Sequence, residues 1–178
     1  MAKPQDKKVL VVDDEEDVVF FLSTALEDEG FRTDTAGGVD EALEKIKASP
    51  PDCISLDMVM PGKSGIVLFH ELHRNPDWKK IPVLFVTGHA KEERVKRELD
   101  AAAALAESTL SGPMTYLDKP VTASTFVKAV ASVLGVELEK APEKEPEATL
   151  RQEAEALIRS ADPEVLREAL RLLKSKGG

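Results

Sequence analysis

Residues 53–57 read CISLD, a short apolar run that ends in a carboxylate, and MVMPG follows at residues 58–62. A short apolar run that stops at a turn is typical of a buried β-strand. The pattern therefore predicts Asp57 at the C-terminal tip of a strand. In open parallel sheets this is the edge at which ligands bind.

Short apolar runs alternate five times with amphipathic stretches over the first 135 residues. This alternation is typical of βαβ units, which build a parallel sheet covered by helices on both faces. The sequence therefore predicts an α/β, doubly wound fold with a five-stranded parallel sheet. Each predicted helix has apolar residues at helical spacing. In the first helix these are Val18, Phe21, Leu22, Ala25 and Leu26.

Other reactive side chains also follow strand-like runs. The pair Asp13-Asp14 follows the first run, Thr87 follows the fourth, and Lys119 follows the fifth. The carboxyl ends of parallel strands meet at one crevice, so we expect these side chains to lie close to Asp57.

The carboxylates of Asp13, Asp14 and Asp57 imply a bound cation, because like charges so close together do not all ionise unless a cation neutralises them. Mg²⁺ fits best, since it takes one or two carboxylates, keeps several waters and bridges to phosphate oxygens. Such an ion also makes a carboxylate phosphorylatable by shielding the charge of an incoming phosphoryl group. Lys119 and Thr87 would supply a point charge and a hydrogen-bond donor to that group.

The segments around these residues resemble the receiver domain of bacterial two-component response regulators. Four motifs occur in the order found in that family: Val11-Val12-Asp13-Asp14, Leu56–Gly62, Val86-Thr87-Gly88 and Asp118-Lys119-Pro120. The resemblance spans about residues 7 to 135. It implies a fold like that of chemotaxis regulators, which is flavodoxin-like with strand order 2-1-3-4-5.

The resemblance also implies the chemistry of the acidic residues. Asp57 would accept a phosphoryl group from a histidine kinase or a phosphotransfer protein. Asp14 and Asp57 would ligate Mg²⁺ together with the backbone carbonyl of Val59, and Asp13 would act on the ion through water. The protein would then be a signalling switch and not an enzyme.

Further roles follow from the same resemblance. Thr87 and Lys119 would hold the phosphoryl oxygens, and Tyr116 matches the aromatic residue that switches position in the family. The bond between Lys119 and Pro120 is a candidate cis peptide, because this Lys-Pro bond is usually cis in the family.

Two residues lie at positions that influence the lifetime of the phosphoryl group in the family. Val59 is apolar and cannot position an attacking water, which favours slow hydrolysis. For His89 three alternatives are open: it obstructs that water, it orients that water, or it is an ordinary exposed loop histidine. On the third predicted helix, His70 and His73 are expected on a solvated face.

The chain departs from the family pattern between Thr87 and Lys119. These residues are separated by 31 others, whereas one average helix, one strand and two short connections need about 25. We expect the excess to lengthen the fourth helix or the loop that follows it. In the family, the face formed by helix 4, strand 5 and helix 5 commonly carries the output signal. The excess residues either alter that face or are a tolerated surface insertion.

Composition changes after Gly135. We predict a receiver domain at residues 1–135, a solvated linker rich in Glu, Lys and Pro at 136–147, and a tail of two amphipathic helices at 148–176. This tail is too short for a typical DNA-binding domain. Its apolar faces predict packing against the receiver domain, a second copy of the chain or another protein.

The net charge of −9 disfavours broad attraction to nucleic acid. No apolar stretch approaches the ~18 residues of a membrane span, so no membrane insertion is expected. The single cysteine, Cys53, lies in an apolar strand pattern and fits a reducing compartment. We therefore predict a cytoplasmic protein.

Two other functions compete with a phosphorylation switch. A phosphatase that forms an aspartyl phosphate needs a second Asp two residues after the nucleophile, and Val59 occupies that position. A pseudo-receiver scaffold would not take up phosphate at all. The complete set of reactive residues argues against the scaffold.

For the switch, dimerisation through the helix 4, strand 5 and helix 5 face or through the tail helices is a candidate output.

Overall fold

A parallel sheet of five strands forms the centre of the computed structural model, which describes residues 3–88, 92–108 and 115–138, without the side chains of residues 105–108. The strands are β1 (Lys8–Val12), β2 (Arg32–Ala36), β3 (Cys53–Leu56), β4 (Val83–Thr87) and β5 (Thr115–Asp118). Their order in the sheet is β2-β1-β3-β4-β5. The predicted fold class and strand order are therefore confirmed.

Helices connect and follow the strands. They are α1 (Glu16–Asp28), α2 (Val39–Ala48), α3 (Gly65–Arg74), α4 (Glu93–Ser108) and α5 (Ala123–Leu134), and a short 3₁₀ turn at Pro4–Asp6 precedes β1. Polar caps fix two of the helix starts: the Ser64 side chain accepts from the amide of Ile66, and Thr122 accepts from that of Thr125. The left-handed conformation of Gly135 (φ +61°) ends α5.

The sheet separates two apolar clusters, because successive side chains of a strand point to opposite faces. One cluster packs α2, α3 and α4 against residues such as Leu10, Ile54 and Phe85. The other packs α1 and α5 against Val9 and Leu84, among others. Both faces of the sheet are covered, so the strand ends are the exposed edges at which a site can form.

The predicted buried face of α1 is wrong at one position. Leu22, Ala25 and Leu26 are buried, but Phe21 is 43% exposed, and its neighbour Phe20 is more exposed still. Spacing of three or four residues also admits positions at the margin of a buried stripe, and Phe21 lies at that margin.

The third helix also differs from prediction at one histidine. His70 is exposed as expected, but His73 is half-buried, with its ring centroid 4.0 Å from that of Phe69. Nδ1 of His73 lies 3.0 Å from the carbonyl oxygen of Phe69. The end of α3 thus carries a histidine that packs against the core.

The fourth helix is long, as predicted. It has 16 residues and is the longest of the described helices. Val95, Leu99 and Ala102 form its buried side. Residues 109–114, between α4 and β5, lie outside the described residues, so a lengthened loop there stays a prediction.

The folded unit extends slightly past α5. Val136 is buried in the second cluster, although it falls in the predicted linker, and the compact unit spans Met1–Leu138. The predicted tail helices at residues 148–176 lie outside the described residues. Within the described part of the chain, no helix has the length and apolar character needed to cross a membrane.

Candidate functional site

Three carboxylates meet at the C-terminal edge of the sheet. Asp13 and Asp14 directly follow β1, and Asp57 directly follows the neighbouring strand β3. Asp13 and Asp57 are buried, whereas Asp14 is exposed. One ligand oxygen from each lies within 4.8 Å of the others. The convergence expected from the strand order is therefore present.

Lys119 completes the cluster at the same edge of the sheet, where it directly follows β5. Its ammonium nitrogen lies 2.7 Å from Asp13 Oδ2, 3.2 Å from Glu15 Oε1 and 3.4 Å from Asp57 Oδ2. The backbone amide of Lys119 donates to the carbonyl of Thr87 at 3.0 Å, and the Lys119–Pro120 peptide bond is cis.

The turn after β3 fixes the backbone of Asp57. The amide of Asp57 donates to the Val12 carbonyl at 2.9 Å, and one carboxylate oxygen accepts from the Val59 amide at 3.3 Å. The carbonyl of Met58 accepts from the Ser64 hydroxyl at 2.7 Å and from the Gly65 amide at 3.0 Å. The start of α3 is thus tied to the segment that carries Asp57.

Burial and charge perturb both ends of the ion pair. Burial raises the pKa of Asp57, and the nearby charge of Asp13 adds to this, while Lys119 opposes it. Burial acts to lower the pKa of Lys119, but its hydrogen bond to Asp13 and the charge of Asp57 outweigh burial and raise it. Lys119 therefore stays cationic and partly neutralises the negative charge of Asp13 and Asp57.

The donor set suits a hard divalent cation. Asp13, Asp14 and Asp57 offer only oxygen ligands, and one ammonium cannot neutralise three carboxylates. Mg²⁺ fits these residues, which would hold it and leave room for water. Participation of the Val59 carbonyl remains a prediction. The Val59 side chain is partly exposed beside the carboxylates.

The remaining predicted residues lie on β4 and β5. Thr87 is fully buried as the last residue of β4, the strand beside β3. Tyr116 lies on β5, where it pairs with Phe85 and is 54% exposed. His89 lies outside the described residues. We call Asp13, Asp14, Asp57, Thr87 and Lys119 the strand-tip site.

Sequence reasoning missed Glu15, which contacts Lys119. An acidic residue just before a helix is ordinarily explained by the helix dipole, and Glu15 is the N-cap residue of α1. Its position directly after the acidic pair Asp13-Asp14 is the signal that could have assigned it to the strand-tip site.

The fold and the strand-tip site define a receiver module with the topology of chemotaxis regulators. The chain belongs to the response regulator receiver domain family, whose family model matches residues 9–131. It is therefore a receiver domain of two-component signalling, a class of phosphoacceptor switches.

Individual proteins support this membership. The chain is 32% identical over 127 residues to the phosphate regulon transcriptional regulatory protein PhoB of Rhizobium meliloti, covering 71% of this chain and 52% of that protein. It is 33% identical over 129 residues to the alkaline phosphatase synthesis transcriptional regulatory protein PhoP of Bacillus subtilis, covering 72% and 49%. The chain thus spans about half the length of these curated relatives.

A solved structure shows the same architecture. The chemotaxis response regulator CheY4 of Vibrio cholerae matches with a TM-score of 0.61 and 30% identity, covering 72% of this chain and 98% of that chain. The match agrees with the sheet order and with the extent of the family model.

Proposed function

We propose that the protein is a response regulator that accepts a phosphoryl group on Asp57 from a histidine kinase or a phosphotransfer protein, in a Mg²⁺-dependent reaction. The observation that carries the proposal is the position of the Lys119 ammonium, which lies within 3.4 Å of both Asp57 and Asp13. A cation is thus held beside the oxygen that would bond to phosphorus.

The proposed transfer is a single displacement. An oxygen of Asp57 forms a bond to phosphorus while the bond from phosphorus to the donor atom breaks, and the electron pair of that bond leaves with the donor. When bound by the three carboxylates, Mg²⁺ would shield the negative charge of the phosphoryl oxygens. Lys119 and Thr87 would hold the oxygens of the transferred group.

The burial of Asp57 supports a long-lived product. The carboxylate is largely shielded from solvent, and the apolar side chain of Val59 offers no hydrogen bond to an attacking water. We expect slow hydrolysis of the aspartyl phosphate.

The output is proposed to be a change in protein contacts. Tyr116 is exposed on β5, a strand that belongs to the family's usual output face, and it would change position when Asp57 is phosphorylated. Either the face formed by α4, β5 and α5 or the predicted tail at residues 148–176 would then bind a downstream protein or a second copy. Sedimentation of the full chain with and without a phosphodonor tests whether phosphorylation makes the chain bind a second copy.

Intact-mass measurement tests the proposed phosphorylation. The full chain is incubated with acetyl phosphate and Mg²⁺, and we expect a mass increase of about 80 Da. Asp57→Asn should abolish the adduct, whereas Asp28→Asn, which changes an exposed acid at the far end of α1, should retain it. Absence of an adduct in the unmodified chain with acetyl phosphate and with phosphoramidate would refute the proposal.

A further inference from the structure

The ammonium of Lys119 is saturated with acidic partners. An ammonium group has three N–H donors, and three carboxylates lie within 3.4 Å of it, those of Asp13, Glu15 and Asp57. An incoming phosphoryl oxygen must therefore displace one of these partners before it can bind the ammonium.

The three partners differ in how easily they can be displaced. The exposed fraction of the side chain is 2% for Asp13 and 5% for Asp57, but 61% for Glu15. Asp13 and Asp57 reach little water that could replace the ammonium, so releasing either of them is unfavourable. A released Glu15 carboxylate returns to water, and an exposed ion pair contributes little stability.

We propose that Glu15 is a positioning residue for Lys119: it holds the ammonium while Asp57 is unphosphorylated and releases it to the incoming phosphoryl group. This inference rests on the proposed function of Asp57. Because the Glu15 contact must break during transfer, it slows phosphorylation. Glu15 therefore sets how readily the switch turns on.

The rate of phosphorylation tests this role. The full chain and its variants are incubated with acetyl phosphate and Mg²⁺, and adduct formation is followed by intact mass. Glu15→Gln is expected to react about two- to fivefold faster, as loss of one exposed ion pair implies. Glu16→Gln removes the same charge from the next residue, which is exposed in the first turn of α1, and is expected to match the unmodified chain.

A third variant separates contact from charge. Glu15→Asp keeps the charge but is one methylene shorter, so it is expected to react nearly as fast as Glu15→Gln. A rate for Glu15→Asp equal to that of the unmodified chain would overturn the positioning role. So would a rate for Glu15→Gln that is unchanged, slower, or equal to that of Glu16→Gln.

A second measurement needs no phosphorylation and keeps the inference distinct from the proposed function. The chain is treated briefly with acetic anhydride in the absence of acetyl phosphate, and acetylation of Lys119 is quantified by peptide mass spectrometry. Removing Glu15 uncovers the ammonium, so Lys119 should be acetylated about two- to fivefold faster in Glu15→Gln but not in Glu16→Gln. Unchanged acetylation overturns the inference even if the chain never takes up phosphate. A missing adduct together with faster acetylation in Glu15→Gln refutes the proposed function and leaves the Glu15–Lys119 contact standing.

Discussion

Gly65 approaches the backbone of Asp57 so closely that a Cβ atom at position 65 would overlap the carbonyl oxygen of Asp57. This carbonyl belongs to the residue proposed to accept the phosphoryl group. Because the overlap involves backbone atoms, no side-chain rotation can relieve it. The path of the chain through Asp57 therefore depends on the absence of a side chain at position 65.

Substitution of Gly65 tests this dependence. Gly65→Ala is expected to lower the free energy of unfolding by about 1–3 kcal/mol, the usual range for an overpacked site. It should also slow phosphorylation by acetyl phosphate, because the Asp57 backbone must shift away from its position beside Lys119. Urea denaturation measures the first effect and intact mass the second.

Gly38 provides the matched control. No atom lies within 4 Å of a Cβ built at Gly38, and its φ of −176° is extended backbone that any residue adopts. Gly38→Ala should cost less than about 1 kcal/mol, as a change at a helix N-cap, and should leave phosphorylation unchanged. Equal stability of the two variants would contradict the close approach of Gly65.

The acidic cluster predicts stabilisation by Mg²⁺. An ion that binds only the folded chain adds about 2.7 kcal/mol when its concentration is 100 times the dissociation constant. We expect Mg²⁺ to raise the melting temperature of the full chain, and Asp14→Asn to remove most of that rise. Asp28→Asn, which changes an exposed acid at the other end of α1, should show the full rise. If Asp14→Asn responds to Mg²⁺ like the unmodified chain, Asp14 is not a ligand.

The fold was predictable because each of its signals is local. Apolar runs, the turns that follow them and helical spacing identify the strands and helices one at a time. The rule that parallel strand ends meet at one edge then brings Asp13, Asp57 and Lys119 together without any knowledge of loop conformation. The structure agrees on all three.

Other features depend on details that no local pattern carries. The contact between Glu15 and Lys119 depends on the path of the loop before α1 and on side-chain length. The close approach of Gly65 to Asp57 depends on how α3 packs against the turn after β3. The exposure of Phe21 depends on a small rotation of α1 about its axis, which residue spacing does not define.

The half-buried His73 predicts a loss of stability in acid. A carbonyl can only accept, so His73 Nδ1 carries the hydrogen that faces Phe69, and the buried Nε2 atom has no hydrogen-bond partner in the described part of the chain. Burial lowers the pKa of His73, although the hydrogen bond to Phe69 opposes this. His73 therefore binds a proton at a higher pH in the unfolded chain than in the folded chain. The contribution of neutral His73 to the free energy of unfolding is fully present above about pH 6.5 and is lost as the pH falls through the lowered pKa of the folded state.

Paired histidine variants test this pH dependence. The free energy of unfolding is measured in urea between about pH 7.5 and 5.5, where an ordinary histidine titrates. His73→Gln should lose less stability over this range than the unmodified chain. His70→Gln changes the exposed neighbour on the same helix and should keep most of the slope. Identical slopes for the unmodified chain and for His73→Gln would show that His73 does not titrate differently in the folded state.

The alanine run in α4 provides a test of how this long helix packs. Ala102 is fully buried in the cluster that α4 shares with α2 and α3, whereas Ala101, one residue earlier, is exposed. Ala102→Leu inserts three carbons into a packed core and should cost about 1–3 kcal/mol in urea denaturation. Ala101→Leu makes the same change on the solvent side and should stay within about 0.5 kcal/mol of the unmodified chain. If instead Ala101→Leu is the destabilising variant, α4 is rotated about its axis so that Ala101, and not Ala102, faces the core. Because α4 is part of the proposed output face, that result would place different residues of this helix on the surface available to a partner.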